Sequence, residues 1–118
     1  MQEKAAVYGS GTIGADEATL IIGHGIPCVV IGHSARGLER CRNAIIRNFD
    51  DLIAEGLASV ENKCAAMKLL TVTNELEQLS GATFVFEAVA EKLEVKAEVY
   101  HNIFRHTDPE VIIASCTS

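Results

Sequence analysis

The hexapeptide Gly9-Ser10-Gly11-Thr12-Ile13-Gly14 is the strongest chemical signal in this 118-residue chain. It follows a short apolar run and opens a segment of helical period. In that setting, glycines at this spacing hold the pyrophosphate of a dinucleotide. Gly9 permits the tight turn, Gly11 lets a phosphate approach the backbone, and Gly14 lets the helix pack closely on the strand. The amides of Thr12 and Ile13 then face the phosphates at the positive end of the helix. As an ordinary strand-to-helix turn the motif would carry no ligand. Ser10 completes the candidate phosphate loop.

Two further segments belong to the same chemistry. Gly32-His33-Ser34-Ala35-Arg36 follows the second apolar run, beside the place of an adenosine ribose. Without a carboxylate there a ribose 2′-phosphate is not repelled, and Ser34 and Arg36 are candidates to contact it. The competing reading is a surface turn in which Ser34 caps the next helix. In the last third, Glu87–Lys96 and Ala114–Ser118 each follow an apolar run. Both therefore fall at the carboxyl ends of strands, where open α/β sheets bind ligands. His24, His33, His101 and His106 are scattered without ligand spacing, and the four cysteines form no C-x-x-C pair, so no metal site is expected.

The elements that must position these residues follow from the apolar pattern. Runs at Ala5–Tyr8, Cys28–Ile31, Leu69–Val72, Thr83–Phe86 and Val111–Ala114 alternate little, as strands covered on both faces do. A helix is predicted from Thr12 to His24, ended by Gly25 and Pro27. Its wheel places Glu17 between Ile13 and Ile21, on the face expected to meet the sheet, where a carboxylate would be strained. The next helix starts at the Ser34 cap, carries Leu38, Cys41, Ile45, Phe49 and Leu52 on one stripe, and is long enough to protrude as an arm. A shorter helix follows Ser59. In the last helix Leu93, Ala97, Tyr100 and Phe104 are expected to face the core. The order βαβααβ(α)βαβ predicts a Rossmann-type α/β domain, a doubly wound parallel sheet with a protruding helical arm, over residues 1–118.

Bulk properties narrow the partners. The net charge of −6, with no basic cluster longer than Arg40-Cys41-Arg42, argues against nucleic acid and anionic membranes. No apolar run approaches the roughly 20 residues of a transmembrane helix. Dispersed thiols and the absence of a signal-peptide pattern predict a reducing, cytoplasmic setting.

With these motifs in order, the chain resembles the N-terminal domain of the 3-hydroxyacyl-CoA dehydrogenases, a group that includes 3-hydroxybutyryl-CoA dehydrogenase and the lens λ-crystallin relatives. The resemblance rests on AVYGSGTIGA, the helical arm ending near EGLAS, FVFEAVAEKLEVKAEVY and IIASCTS. It implies NAD as cofactor and hydride transfer between L-3-hydroxyacyl-CoA and 3-oxoacyl-CoA. Glu91 and Lys96 match the residues bordering the nicotinamide ribose, and Ser118 matches a serine that positions the reacting oxygen of the substrate. It also implies a histidine–glutamate pair and a helical dimerisation domain further along, so the chain is expected to stop before the catalytic base and to belong to a homodimer.

Several positions depart from the family pattern. Gly32 replaces the acidic residue that usually holds the adenosine ribose, which turns the expectation toward NADP(H). Asp16 and Glu17 stand where small or apolar residues are usual, Asp16 close enough to the helix start to compete with a pyrophosphate. Cys116 replaces an asparagine beside the nicotinamide, and Asn48 and Glu55 on the arm offer little to the phosphates of coenzyme A. These departures leave open a rival reading, a binding-only Rossmann module. A related β-hydroxyacid dehydrogenase is a third.

Overall fold

In a computed structural model, which describes residues 3–89 and 93–115, five parallel strands form one sheet in the order β3-β2-β1-β4-β5. The strands are β1 (Ala5–Tyr8), β2 (Cys28–Ile31), β3 (Leu70–Thr73), β4 (Phe84–Glu87) and β5 (Ile112–Ser115). Helices α1 (Thr12–Gly23), α2 (Ala35–Ala54), α3 (Val60–Met67) and α4 (Leu93–His106) cover it, with one 3-10 turn at Leu76–Leu79. The strand order reverses between β1 and β4, which opens a crevice above their carboxyl ends.

Both faces of the sheet are buried at β1 and β2, as the unalternating runs require, whereas β3, β4 and β5 are partly exposed. Val7, Cys28 and Val30 pack with Ala18 and Ile22 of α1 and with Ile45 and Phe49 of α2. Ala6, Val29, Ile31 and Val85 point the other way, onto Leu79 and onto Val99 and Ile103 of α4. The first two strands match the predicted bounds. The last three begin one residue later than expected, because the residue before two of them is still tied into a turn. Leu69 N–H donates to Ala66 O at 2.9 Å, and Val111 N–H to Asp108 O at 3.1 Å.

Ser34 and Ser59 cap their helices through side-chain oxygens, Ser59 within a reciprocal capping box with Asn62. The 20 residues of α2 span about 30 Å, more than twice the length of a four-residue strand, and its far half still packs on the core through Ile45 and Phe49.

Two faces differ from the sequence expectation. On α1 the buried residues are Gly14, Ala15, Ala18, Thr19 and Ile22, whereas Glu17 is half-buried and Ile13 exposed. The small residues win the sheet-facing side because they allow close approach, and no buried side-chain polar atom among the described residues lacks a partner. The expected strain at Glu17 is therefore absent. On α4 the inward residues are Val99 and Ile103, while Ala97 and Phe104 are exposed and Tyr100 is half-buried. The helix is rotated so that Lys96 reaches the carboxyl end of β4.

Two core thiols give the fold an alkaline limit. Burial, reinforced by neighbouring Cys41, pushes Cys28 up to about 12 from 9.0. Burial also raises Cys41, opposed by Arg42. Above pH 9 the unfolded chain releases a proton that the folded chain retains, so this contribution is full below pH 9 and lost between about 9 and 12. Within that window Cys28 alone contributes a decline of about 1.4 kcal/mol per pH unit. Urea denaturation at neutral pH and at pH 10.5 should show a shallower decline for Cys28→Ala than for the parent chain. Equal declines would show that Cys28 ionises normally in the fold.

Candidate functional site

The glycine loop joins β1 to α1 above the switch point, and each glycine is constrained differently. Gly9 has φ +130°, and a Cβ built on it would lie 2.7 Å from Ala88 O at the end of β4. A Cβ on Gly14 would lie 2.0 Å from Gly9 O and 3.2 Å from Val7 Cγ1, so helix and strand meet with no room for a side chain. Around Gly11 nothing lies within 4 Å of that position. The first two close the turn, and Gly11 leaves its outer face open.

Gly11 flanks the start of helix α1 without a side-chain cap, and the first turn holds no acidic residue. Gly9 N–H donates to Ile31 O at 2.8 Å, and Ala15 N–H closes the first helical turn on Gly11 O at 2.9 Å. Thr12, Ile13 and Gly14 thus contribute amides at the positive end of a 12-residue helix. Asp16 does not compete for them from the first turn. It accepts a bond from Asn48 Nδ2 of α2 at 3.0 Å, and the same amide donates to Thr19 Oγ1 at 3.0 Å. Asn48, read from sequence as a poor coenzyme A contact, joins α2 to α1.

The β2–α2 corner is built around Ser10. A Cβ on Gly32 would meet Ser10 Oγ and Leu38 Cδ2, each at 2.8 Å. One on Gly37 would lie 3.2 Å from the same hydroxyl. Gly37, which the sequence reading passed over, therefore lets α2 approach the loop. Ser34 accepts from Gly37 N–H at 3.0 Å, so the predicted cap is made. Arg36 is exposed at this corner, and Arg40 Nη2 lies 3.8 Å from the Cβ position of Gly37.

Across the crevice, Glu87 at the end of β4 is fully buried. Its Oε2 accepts from Val89 N–H at 2.6 Å, and its Oε1 from Ser115 Oγ at 2.9 Å and Tyr100 OH at 3.4 Å. Lys96 Nζ stands 3.5 Å from Oε1. Parallel pairing sets the arrangement, since Tyr8, Glu87 and Ser115 are register partners across β1, β4 and β5. The sequence marks the segment Glu87–Lys96 and, within it, Lys96, but not the pairing of Glu87 with Lys96, Tyr100 and Ser115. The available signal was a carboxylate closing an otherwise apolar strand. Glu91, Cys116 and Ser118 lie outside the described residues.

Residues 4–118 match the family described as "3-hydroxyacyl-CoA dehydrogenase, NAD binding domain". The chain belongs to that family. It is 30% identical over 117 residues to a 3-hydroxybutyryl-CoA dehydrogenase of Mycobacterium tuberculosis, covering 98% of this chain and 41% of the relative. An L-carnitine dehydrogenase of Staphylococcus epidermidis is 33% identical over 116 residues, covering 98% of this chain and 35% of that protein. The crystal structure of FadB2 from M. tuberculosis superposes with a TM-score of 0.92 at 28% identity, over 97% of this chain and 40% of that one. This member of the family thus spans well under half the length of these relatives. The cofactor of the family domain is NAD, and the glycine cradle fits it, because only the Gly11 face is left open where a pyrophosphate would lie. No helix among the described residues is long and apolar enough to cross a membrane.

Proposed function

We propose that this chain is the cofactor-binding part of an enzyme that interconverts L-3-hydroxyacyl-CoA and 3-oxoacyl-CoA. The observation that carries the proposal is the loop in which Gly9 and Gly14 have no room for a Cβ while Gly11 faces open space above an uncapped helix start. The loop amides bind the pyrophosphate, with Ser10 packing the loop on the β2–α2 corner. Lys96 and Glu91 border the nicotinamide ribose, and Ser118 positions the reacting oxygen of the substrate. The latter two roles rest on the family motif. NAD, when bound, supplies the hydride acceptor. The acyl-CoA substrate, a homodimer formed through a helical domain, and a cytoplasmic location belong to the same proposal.

The rival binding-only module loses part of its support, since Asp16 is engaged by Asn48 and Glu17 is not buried without a partner. The carnitine-oxidising relative keeps a second substrate class open, because its resemblance covers this same segment.

The β2–α2 corner favours tolerance of a 2′-phosphate. Gly32 brings no carboxylate, and Arg36 and Arg40 both lie in the first two turns of α2. NADPH is expected to bind at least as well as NADH in calorimetric titration. An Arg36→Ala, Arg40→Ala variant should weaken NADPH about tenfold, the scale of one charge-assisted hydrogen bond, and leave NADH unchanged. A clear NADH preference that the variant leaves intact rejects the 2′-phosphate reading. Failure of both dinucleotides to bind rejects the cofactor proposal itself. For the whole protein carrying this segment, NAD reduction with carnitine but with no 3-hydroxyacyl-CoA would reassign the substrate.

A further inference from the structure

Glu87 raises a physical question that the glycine loop does not answer. Burying a carboxylate is costly, and an apolar residue of similar volume often serves stability as well or better. Yet this one is fully enclosed at the mouth of the crevice and accepts from three segments. These are the turn after β4 through Val89, the end of β5 through Ser115, and α4 through Tyr100, and the Lys96 ammonium of α4 forms an ion pair with it at 3.5 Å. Lys96 is itself mostly buried, with 19% of its side chain exposed. A long, flexible ammonium side chain is worth holding in one geometry only where its charge must sit at a defined point.

We infer that Glu87 is a positioning residue: it holds the Lys96 ammonium at the carboxyl edge of β4 for the nicotinamide half of the dinucleotide and ties the turn after β4 and the last residue of β5 to the same carboxylate. The inference rests on the reading that Lys96 contacts the cofactor. The ammonium carries three N–H donors, so an ion pair on one side leaves donors for contact with the ribose. The carboxylate also offsets the ammonium charge, which would otherwise stand mostly desolvated at the sheet edge.

The test uses the 118-residue chain with NADH and ADP as probes, since ADP lacks the nicotinamide half. Glu87→Gln should weaken NADH about tenfold, as Lys96→Met should, and neither should change ADP affinity. The double variant should bind NADH no worse than Lys96→Met, because a residue acting only through Lys96 has nothing left to position. If Lys96→Met leaves NADH binding unchanged, the cofactor reading of Lys96 fails and the inference with it. If Lys96→Met weakens binding while Glu87→Gln does not, or if their effects add, the positioning role alone is overturned. Equal losses of NADH and ADP in Glu87→Gln would mark a structural role and overturn it too. Should that variant fail to fold, Glu87→Asp keeps the charge and withdraws the carboxylate by one methylene. It should show the same NADH-selective loss, and an equal loss of both ligands, or no loss, refutes the inference.

Discussion

Gly14→Ala should destabilise the chain by roughly 3 kcal/mol or more, a large part of the 5–15 kcal/mol that holds a domain together. The new Cβ would be placed 2.0 Å from Gly9 O and 3.2 Å from Val7 Cγ1. The first of these is backbone and cannot swing aside. Relief requires α1 to lift from β1, which would open the core of Val7, Ala15, Ala18 and Ile22. Dinucleotide binding should disappear with it, because the loop amides are aimed by that packing. Gly11→Ala provides the contrast, since its Cβ would meet nothing within 4 Å. Its stability should stay within about 0.5 kcal/mol of the parent chain, yet NADH affinity should fall, because the methyl group occupies the open face. Urea denaturation and an NADH titration on both variants check the pair. A stable Gly14→Ala chain would show that α1 does not pack on β1 as described, and a Gly11→Ala chain with full NADH affinity would remove the pyrophosphate from that face.

Ile103→Ala is the second large effect, at about 2–5 kcal/mol, while its neighbour Phe104→Ala should cost under about 1 kcal/mol. Ile103 is 0% exposed and lies among Val29, Val85, Leu79 and Val99. Phe104 is 62% exposed and keeps only a loose ring contact, 6.5 Å between centroids, with Tyr100. Removing three carbons from Ile103 leaves a cavity that the strands cannot collapse to fill. Shifts in the denaturation midpoint read both changes, and the reverse order would restore the helix face expected from the apolar spacing alone.

That contrast marks where sequence reading stopped on α4. Leu93, Ala97, Tyr100 and Phe104 keep helical spacing, and so do Val95, Val99 and Ile103. A periodic pattern offers both faces when a helix is apolar on two sides, and only the packing partner selects one. Here the selection goes with the β4 edge, where Glu87 draws Lys96 and Tyr100 inward. The same limit appears on α1, where Ile13, Glu17 and Ile21 looked like an inward stripe. The sheet instead took the smaller residues Gly14, Ala15 and Ala18.

What the residues determined by themselves was what depends on near neighbours. The glycine loop, the caps at Ser34 and Ser59, the parallel strands and the order of elements are local matters of backbone freedom, hydrogen-bond capacity and apolar period, and they were legible at once. The site's internal arrangement was not. Ser10 filling the corner beside Gly32, Asn48 engaging Asp16, and Glu87 gathering Lys96, Tyr100 and Ser115 join residues 9 to 32 positions apart. No spacing rule links them, because the register of parallel strands and the rotation of each helix decide which side chains meet. Those are set by how the layers fill space against one another, and a polar group is buried only after that packing has supplied its partners.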